Sequence, residues 1–306
     1  MNFRLIIFSI IFCFVIITPM AHGQVLDQNS IQKSVKVVIN SMQEVHVTHV
    51  IKASDTPHQI DLIAGTISNL TIKDKQGESL QVVTINENSV MIFPSKTEIT
   101  IEYDLSDVLS LNNNFWLWDF LYLESTSFYF PEGVDLVFVD DKPAFLADKK
   151  GIICHGCQMK LEYSLDEPKF EKEIKIQNEN YSIEFRTWSK INNFSFDKDL
   201  GGLSFQVEGE NSFVTTAIPK DLMSEPYNVL LDNQKIFFHK YNQSDTYVWL
   251  NMRPQHSGEI LITGTVIPNI IENQNQLGEL SLEYLGIVLA GIAVGIVIIF
   301  LKKKKD

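Results

Sequence analysis

The chain has 306 residues, 45% of them hydrophobic and 11% aromatic, and its 25 basic and 38 acidic residues give a formal charge of −13. Phosphate binding needs clustered Lys and Arg, so this balance argues against nucleic acid as a partner. It favours solubility at a cell surface and makes divalent cations natural counter-ions.

The N-terminus reads as an export signal. Arg4 forms a short positive region, Leu5 to Ile17 an apolar stretch, and Ala21-His22-Gly23 presents the small residues that a signal peptidase reads, which places cleavage before Gln24. Cys13 falls in the discarded segment. Residues 24–283 then hold 20 basic and 37 acidic side chains, a charge of −17.

Roughly 260 residues beyond the signal suit two domains rather than one. The texture is β throughout. Period-2 runs occur at 34–39 and 45–51, with short apolar runs at 59–64, 69–72, 80–85, 90–93 and 98–103, separated by turns such as Asp74-Lys75-Gln76-Gly77. Residues 105–111 are expected to form a short helix or turn. His46 and His49, three apart on a strand, are expected on opposite faces. The aromatic run 115–122, with Phe128-Tyr129-Phe130 beyond it, is expected to form the main core of the first domain with both faces of its strand buried. A partner or glycan surface is the competing reading.

Ile153-Cys154-His155-Gly156-Cys157-Gln158-Met159 holds the only two cysteines left after cleavage. In an oxidising compartment the pair is expected to form a disulfide across a tight turn between two strands. Two alternatives compete. Cys154, His155, Cys157 and Met159 offer soft donors suited to copper or zinc, and a Cys-x-x-Cys pair can exchange disulfides if one thiol is acidified. Asp135, Asp140-Asp141 and Asp197-Lys198-Asp199 lack Ca²⁺-loop spacing and read as solvated turns.

Asp166-Glu167-Pro168-Lys169 reads as a charged linker. Beyond it, seven strands are expected at 181–187, 202–208, 213–218, 227–231, 235–240, 246–250 and 259–265, the size of an immunoglobulin-like sandwich. Within this block Phe213-Val214-Thr215-Thr216-Ala217-Ile218-Pro219-Lys220-Asp221-Leu222, Tyr227 to Asn233, and His256 to Pro268 resemble the membrane-proximal β-sandwich repeat of exported archaeal surface proteins. The resemblance covers about a third of the chain and implies surface display and anchoring, with no catalytic residues. Pro268 is followed by Asn269-Ile270 in place of the Pro-Glu-Phe-Gly often found in that family.

Pro268 to Gly278 reads as a polar stalk. Tyr284 to Leu301 is an uninterrupted apolar run without charge, near the ~17–25 residues a helix needs to span a bilayer. Lys302 to Lys305 then fix the C-terminus on the cytoplasmic side. Gly291 and Gly295 form a small-xxx-small pattern that could bring two such helices together. Asn69, Asn180, Asn193 and Asn242 begin sequons open to glycosylation in an exported chain.

The expected organisation is therefore all-β: a signal peptide (1–23), an N-terminal β-sandwich domain (24–166), an Ig-like β-sandwich domain (167–268), a stalk (269–283), a transmembrane helix (284–301) and a cytoplasmic tail (302–306). The expected role is a non-enzymatic, single-pass cell-surface protein, without a cofactor, whose partner is an envelope protein or glycan. A copper-, zinc- or thiol-handling protein on the outer membrane face is the alternative. No phosphate loop, nucleophile elbow or zincin motif occurs.

Overall fold

The structure, a computed structural model, describes residues 30–146, 151–176, 179–197, 201–241 and 244–266. The expected signal peptide, stalk, anchor helix with Gly291 and Gly295, basic tail and Asn242 lie outside the described residues. The described chain is all-β in several sheets. It contains no helix, and so none long and apolar enough to cross a membrane.

The strands are β1 (Gln32–Ile39), β2 (Val45–Ile51), β3 (His58–Asp61), β4 (Thr66–Asp74), β5 (Val83–Asn86), β6 (Ser89–Ile92), β7 (Ile99–Ser106), β8 (Ser110–Asn112), β9 (Phe115–Tyr129), β10 (Leu136–Val139) and β11 (Lys142–Phe145). They continue with β12 (Gly151–Tyr163), β13 (Lys169–Ile176), β14 (Glu179–Thr187), β15 (Lys190–Asp197), β16 (Gly202–Glu208), β17 (Val214–Pro219) and β18 (Met223–Leu231). β19 (Gln234–Lys235), β20 (Phe238–Tyr241), β21 (Tyr247–Met252) and β22 (Gly258–Val266) complete the set.

The chain divides into two compact units. The first takes residues up to Ser110, Trp118–Glu132 and Leu146–Met159; the second takes Leu111–Leu117, Gly133–Phe145 and Lys160 onward. Residues 111–117, 133–145 and 160–166, which the sequence groups with the first block, thus cluster with the second.

The first unit is built on strands in the order β9-β1-β2-β7-β4, antiparallel except for the parallel β1–β9 pair. Alternation explains its core. Val35, Val37 and Ile39 of β1, Val45, Val47 and Ile51 of β2, and Ile99, Ile101, Tyr103 and Leu105 of β7 are buried, and the alternate positions between them point away and are more exposed. A three-stranded sheet, β3-β6-β5, adds Ile60, Val90 and Ile92 to the buried set. The 105–111 segment is not helical. β7 continues to Ser106, and Asp107 with φ 62° bends the chain toward β8.

The aromatic strand departs from expectation in one respect. Trp118, Phe120 and Phe128 pack edge-to-face in the core, while Leu121 and Leu123 between them are 61% and 81% exposed. Only one face of β9 is buried, because the strand keeps the ordinary period of two.

The second unit contains two five-stranded antiparallel sheets, β13-β14-β17-β21-β20 and β15-β16-β22-β18-β19. Phe185, Val214 and Leu250 of the first share one hydrophobic cluster with Phe205, Val229, Ile260 and Ile262 of the second. β15 was hidden in the sequence by its polar alternation. Ile191, Phe194 and Phe196 pack toward the core, with the register shift between Asn192 and Ser195 interrupting the period of two.

The β10–β11 hairpin and the end of β12 belong to the same unit, with Val137 opposite Tyr163 and Val139 opposite Leu161. A second, smaller core of Phe115, Leu136, Phe138 and Phe213 joins them to the β17 side, with Phe138 and Phe213 stacked face to face at 3.6 Å.

Candidate functional site

The cysteine pair lies inside one strand, β12, rather than in a turn between two strands. Three residues of separation on a regular strand would put the side chains on opposite faces. Gly156 between them adopts φ 60°, a left-handed conformation that breaks the regular alternation. Cys154 and Cys157 come together within the strand, with Cα atoms 6.0 Å apart, a separation that a disulfide can bridge. His155 is exposed and lies 3.0 Å from Ser125 Oγ, and Met159 is buried. Among the described residues no three His, Cys, Asp or Glu side chains are arranged to hold a metal ion.

The other predicted positions are spread over the surface. Asn69, Asn180 and Asn193 are exposed. Asn69 and Asn193 each occupy the left-handed position of a strand bulge, at φ 53° and 49°, and the Asn69 amide donates to Asp104 Oδ2 at 2.8 Å. Two Ser–His contacts occur, Ser54 with His58 at 2.8 Å and Ser125 with His155 at 3.0 Å. Neither imidazole is oriented by a described carboxylate, so neither makes a triad.

His46 and His49 fall on opposite faces. His46 is exposed beside Asp104 at 2.7 Å. His49 is fully buried, and burial lowers its pKa to about 3. Ile63 N–H donates to Tyr103 Oη at 2.9 Å. Tyr103 O–H is then directed to His49 Nε2 at 2.9 Å, leaving Nδ1–H to donate to Gln32 Oε1 at 2.7 Å. Gln32 Nε2 donates to Tyr122 Oη, which donates to the Asp61 carbonyl. Every member of this core network has a partner, the condition under which buried polar groups are tolerated.

Sequence reading missed the most concentrated chemistry, which lies in the second unit and partly in the presumed linker. Glu167 is not solvated: its side chain is 1% exposed, and Oε2 accepts from Arg186 Nε at 2.5 Å. Arg186 Nη1 donates to Asp135 Oδ1, whose other oxygen accepts from Lys169 Nζ at 2.7 Å. Burial raises the Glu167 carboxyl against the opposing charge of Arg186. At Asp135 burial acts in the same sense, but Lys169 and Arg186 outweigh it and hold the carboxyl below its ordinary value. The signal available was the isolated Arg186 on an apolar strand. An Arg there demands a carboxylate, and the sequence does not say which one.

Asp135, Lys169 and Arg186 line a cavity of about 400 Å³ beside β13 and β14, together with Phe145, Phe170, Phe185 and Trp249. Strand register orders the β13-β14-β17-β21-β20 sheet in transverse rows. One row reads Lys169, Arg186, Thr215, Asn251, His239; the next reads Glu171, Glu184, Ala217, Trp249, Tyr241. Glu171 and Glu184 thus stand directly opposite each other on neighbouring strands. Glu171 accepts from Ser182 Oγ at 2.5 Å, and no described side chain hydrogen-bonds or ion-pairs with Glu184. At the other end of the row Phe145 meets Tyr241 at 5.0 Å and Trp249 at 5.4 Å, forming an aromatic wall. The Tyr241 hydroxyl and Glu167 Oε1 are buried without hydrogen-bond partners.

A second ion cluster is structural. Arg253 forks onto both oxygens of Glu162 at 3.0 and 3.1 Å, pairs with Asp141 at 2.5 Å, and lies 4.5 Å above the Phe213 ring. Asp135 and Asp141, expected as solvated turn residues, are therefore both anchors for arginines.

No protein-family model matches the chain, and comparison with curated proteins finds no match. Among solved structures, an aminopeptidase N family protein from Idiomarina loihiensis is similar at 10% identity and a TM-score of 0.34. The alignment covers 49% of this chain and spans only 31% of that protein. A likeness of that size carries no activity across.

Proposed function

We propose that the protein is exported, held in the cell membrane by 284–301 with its β units outside, and acts there as a non-enzymatic binding module. The observation that carries this reading is the charge-free apolar run ending in Lys302 to Lys305, opposite an N-terminal export signal. The shared core of the two five-stranded sheets supports an Ig-like sandwich nearest the membrane, as the resemblance to archaeal surface proteins implies. Cys154 and Cys157 serve as a structural disulfide, the state favoured outside the cell. Asn69, Asn180 and Asn193 are accessible glycan acceptors on this reading. The partner is an envelope protein or glycan met through the cavity of the second unit, a concave site with an aromatic wall and unspent polar groups.

Protease added to intact cells is expected to remove the β units, and alkaline carbonate is expected to leave the chain in the membrane fraction. Resistance of the units to external protease, or release by carbonate, overturns the proposal.

A further inference from the structure

We infer that the cavity in the second unit binds an organic cation, an ammonium or guanidinium group on an apolar stem. Charge in and around the cavity favours a cation. Its two basic groups, Lys169 and Arg186, are already held by Asp135 and Glu167. What remains is Glu171 and Glu184, like charges placed opposite each other across β13 and β14. Such a pair weakens the sheet that carries it, and a bound cation would relieve it.

Shape points the same way. Glu171 and Glu184 line the cavity together with Phe145, Phe170 and Trp249. A cation held there meets carboxylates and aromatic rings, the two surroundings that most favour it away from bulk water. The cavity volume of about 400 Å³ lies within the range that encloses small ligands. The inference deepens the binding role proposed above and rests on it for the side of the membrane where the ligand is met.

The test uses the full chain in non-ionic detergent, titrated with choline chloride and with arginine methyl ester, and with sodium benzoate as the anionic control. Binding is followed by calorimetry and by tryptophan fluorescence. At least one cation is expected to bind and benzoate is not. Glu184→Gln and Trp249→Leu are each expected to weaken cation binding at least tenfold, and added salt is expected to weaken it further. Glu184→Gln is also expected to keep or raise the melting temperature, because it removes the repulsion with Glu171. Loss of binding with retained stability separates a ligand role from a folding role.

Failure of both cations to bind, preference for benzoate, or full cation binding by Glu184→Gln overturns the inference. Each of those outcomes leaves the protease and carbonate results unaffected.

Discussion

His49 shares the parity of Val45, Val47 and Ile51 in β2, and that parity alone carries it into the core. The sequence made its position legible but not its partners, since Gln32, Tyr103 and Tyr122 come from three other strands. The network holds the ring neutral. Its pKa is about 3 in the fold, against an unfolded value near 6.5. The unfolded state therefore takes up a proton first as pH falls. Stability from this group is complete above pH 6.5 and declines toward pH 3, by up to about 1.4 kcal/mol per pH unit. Urea unfolding of the wild type is expected to weaken between pH 6.5 and 4.5 more steeply than that of His49→Asn. The difference between the two isolates His49 from Glu167, whose raised carboxyl works in the opposite sense. Equal slopes would show that the ring is not held neutral.

Among the elements, the strands announced themselves by alternation wherever one face is buried and the other wet. β15 escaped because the register shift after Asn192 separates inward Ile191 from inward Phe194 by three residues and breaks the period of two. The cysteine segment was misplaced for a related reason. A left-handed residue inside a strand, as Gly156 is, is invisible to a period-2 reading, and Gly156 looked like the centre of a turn. Gly151, at the start of the same strand, is constrained differently. A Cβ added there would fall 2.1 Å from the Phe128 carbonyl oxygen, which is backbone and cannot rotate away. Gly151→Ala should force β12 away from β9 and cost about 1–3 kcal/mol, as overpacking does. Thermal unfolding measures this, and an unchanged midpoint would mean that the strands separate freely.

At the scale of the molecule, sequence order concealed how the chain is partitioned. A contiguous reading predicts one block after another, yet the second unit collects segments from three places. The tie is chemical. Arg253 reaches Glu162 and Asp141, and Phe213 stacks on Phe138, at sequence separations that no local pattern encodes. The candidate site was equally hidden, because its two rows exist only once five strands are in register. Arg253→Ala leaves Glu162, 3% exposed at its side chain, without its bidentate partner. Lys160 still pairs with Glu162 at 3.2 Å, so a loss of about 1–3 kcal/mol is expected, and Arg253→Lys should recover only part of it, since an ammonium cannot fork onto both oxygens. Chemical denaturation of the full-length variants checks both. A loss below about 1 kcal/mol would place the pair among ordinary surface contacts.

That patchwork has a consequence for biosynthesis. Glu162 leaves the ribosome 91 residues before the arginine it awaits. At about 5–20 residues per second this is a wait of roughly 5–20 s, with Phe138 and its neighbours uncovered. A nascent polypeptide unable to close that body early stays open along its length until Arg253 has emerged.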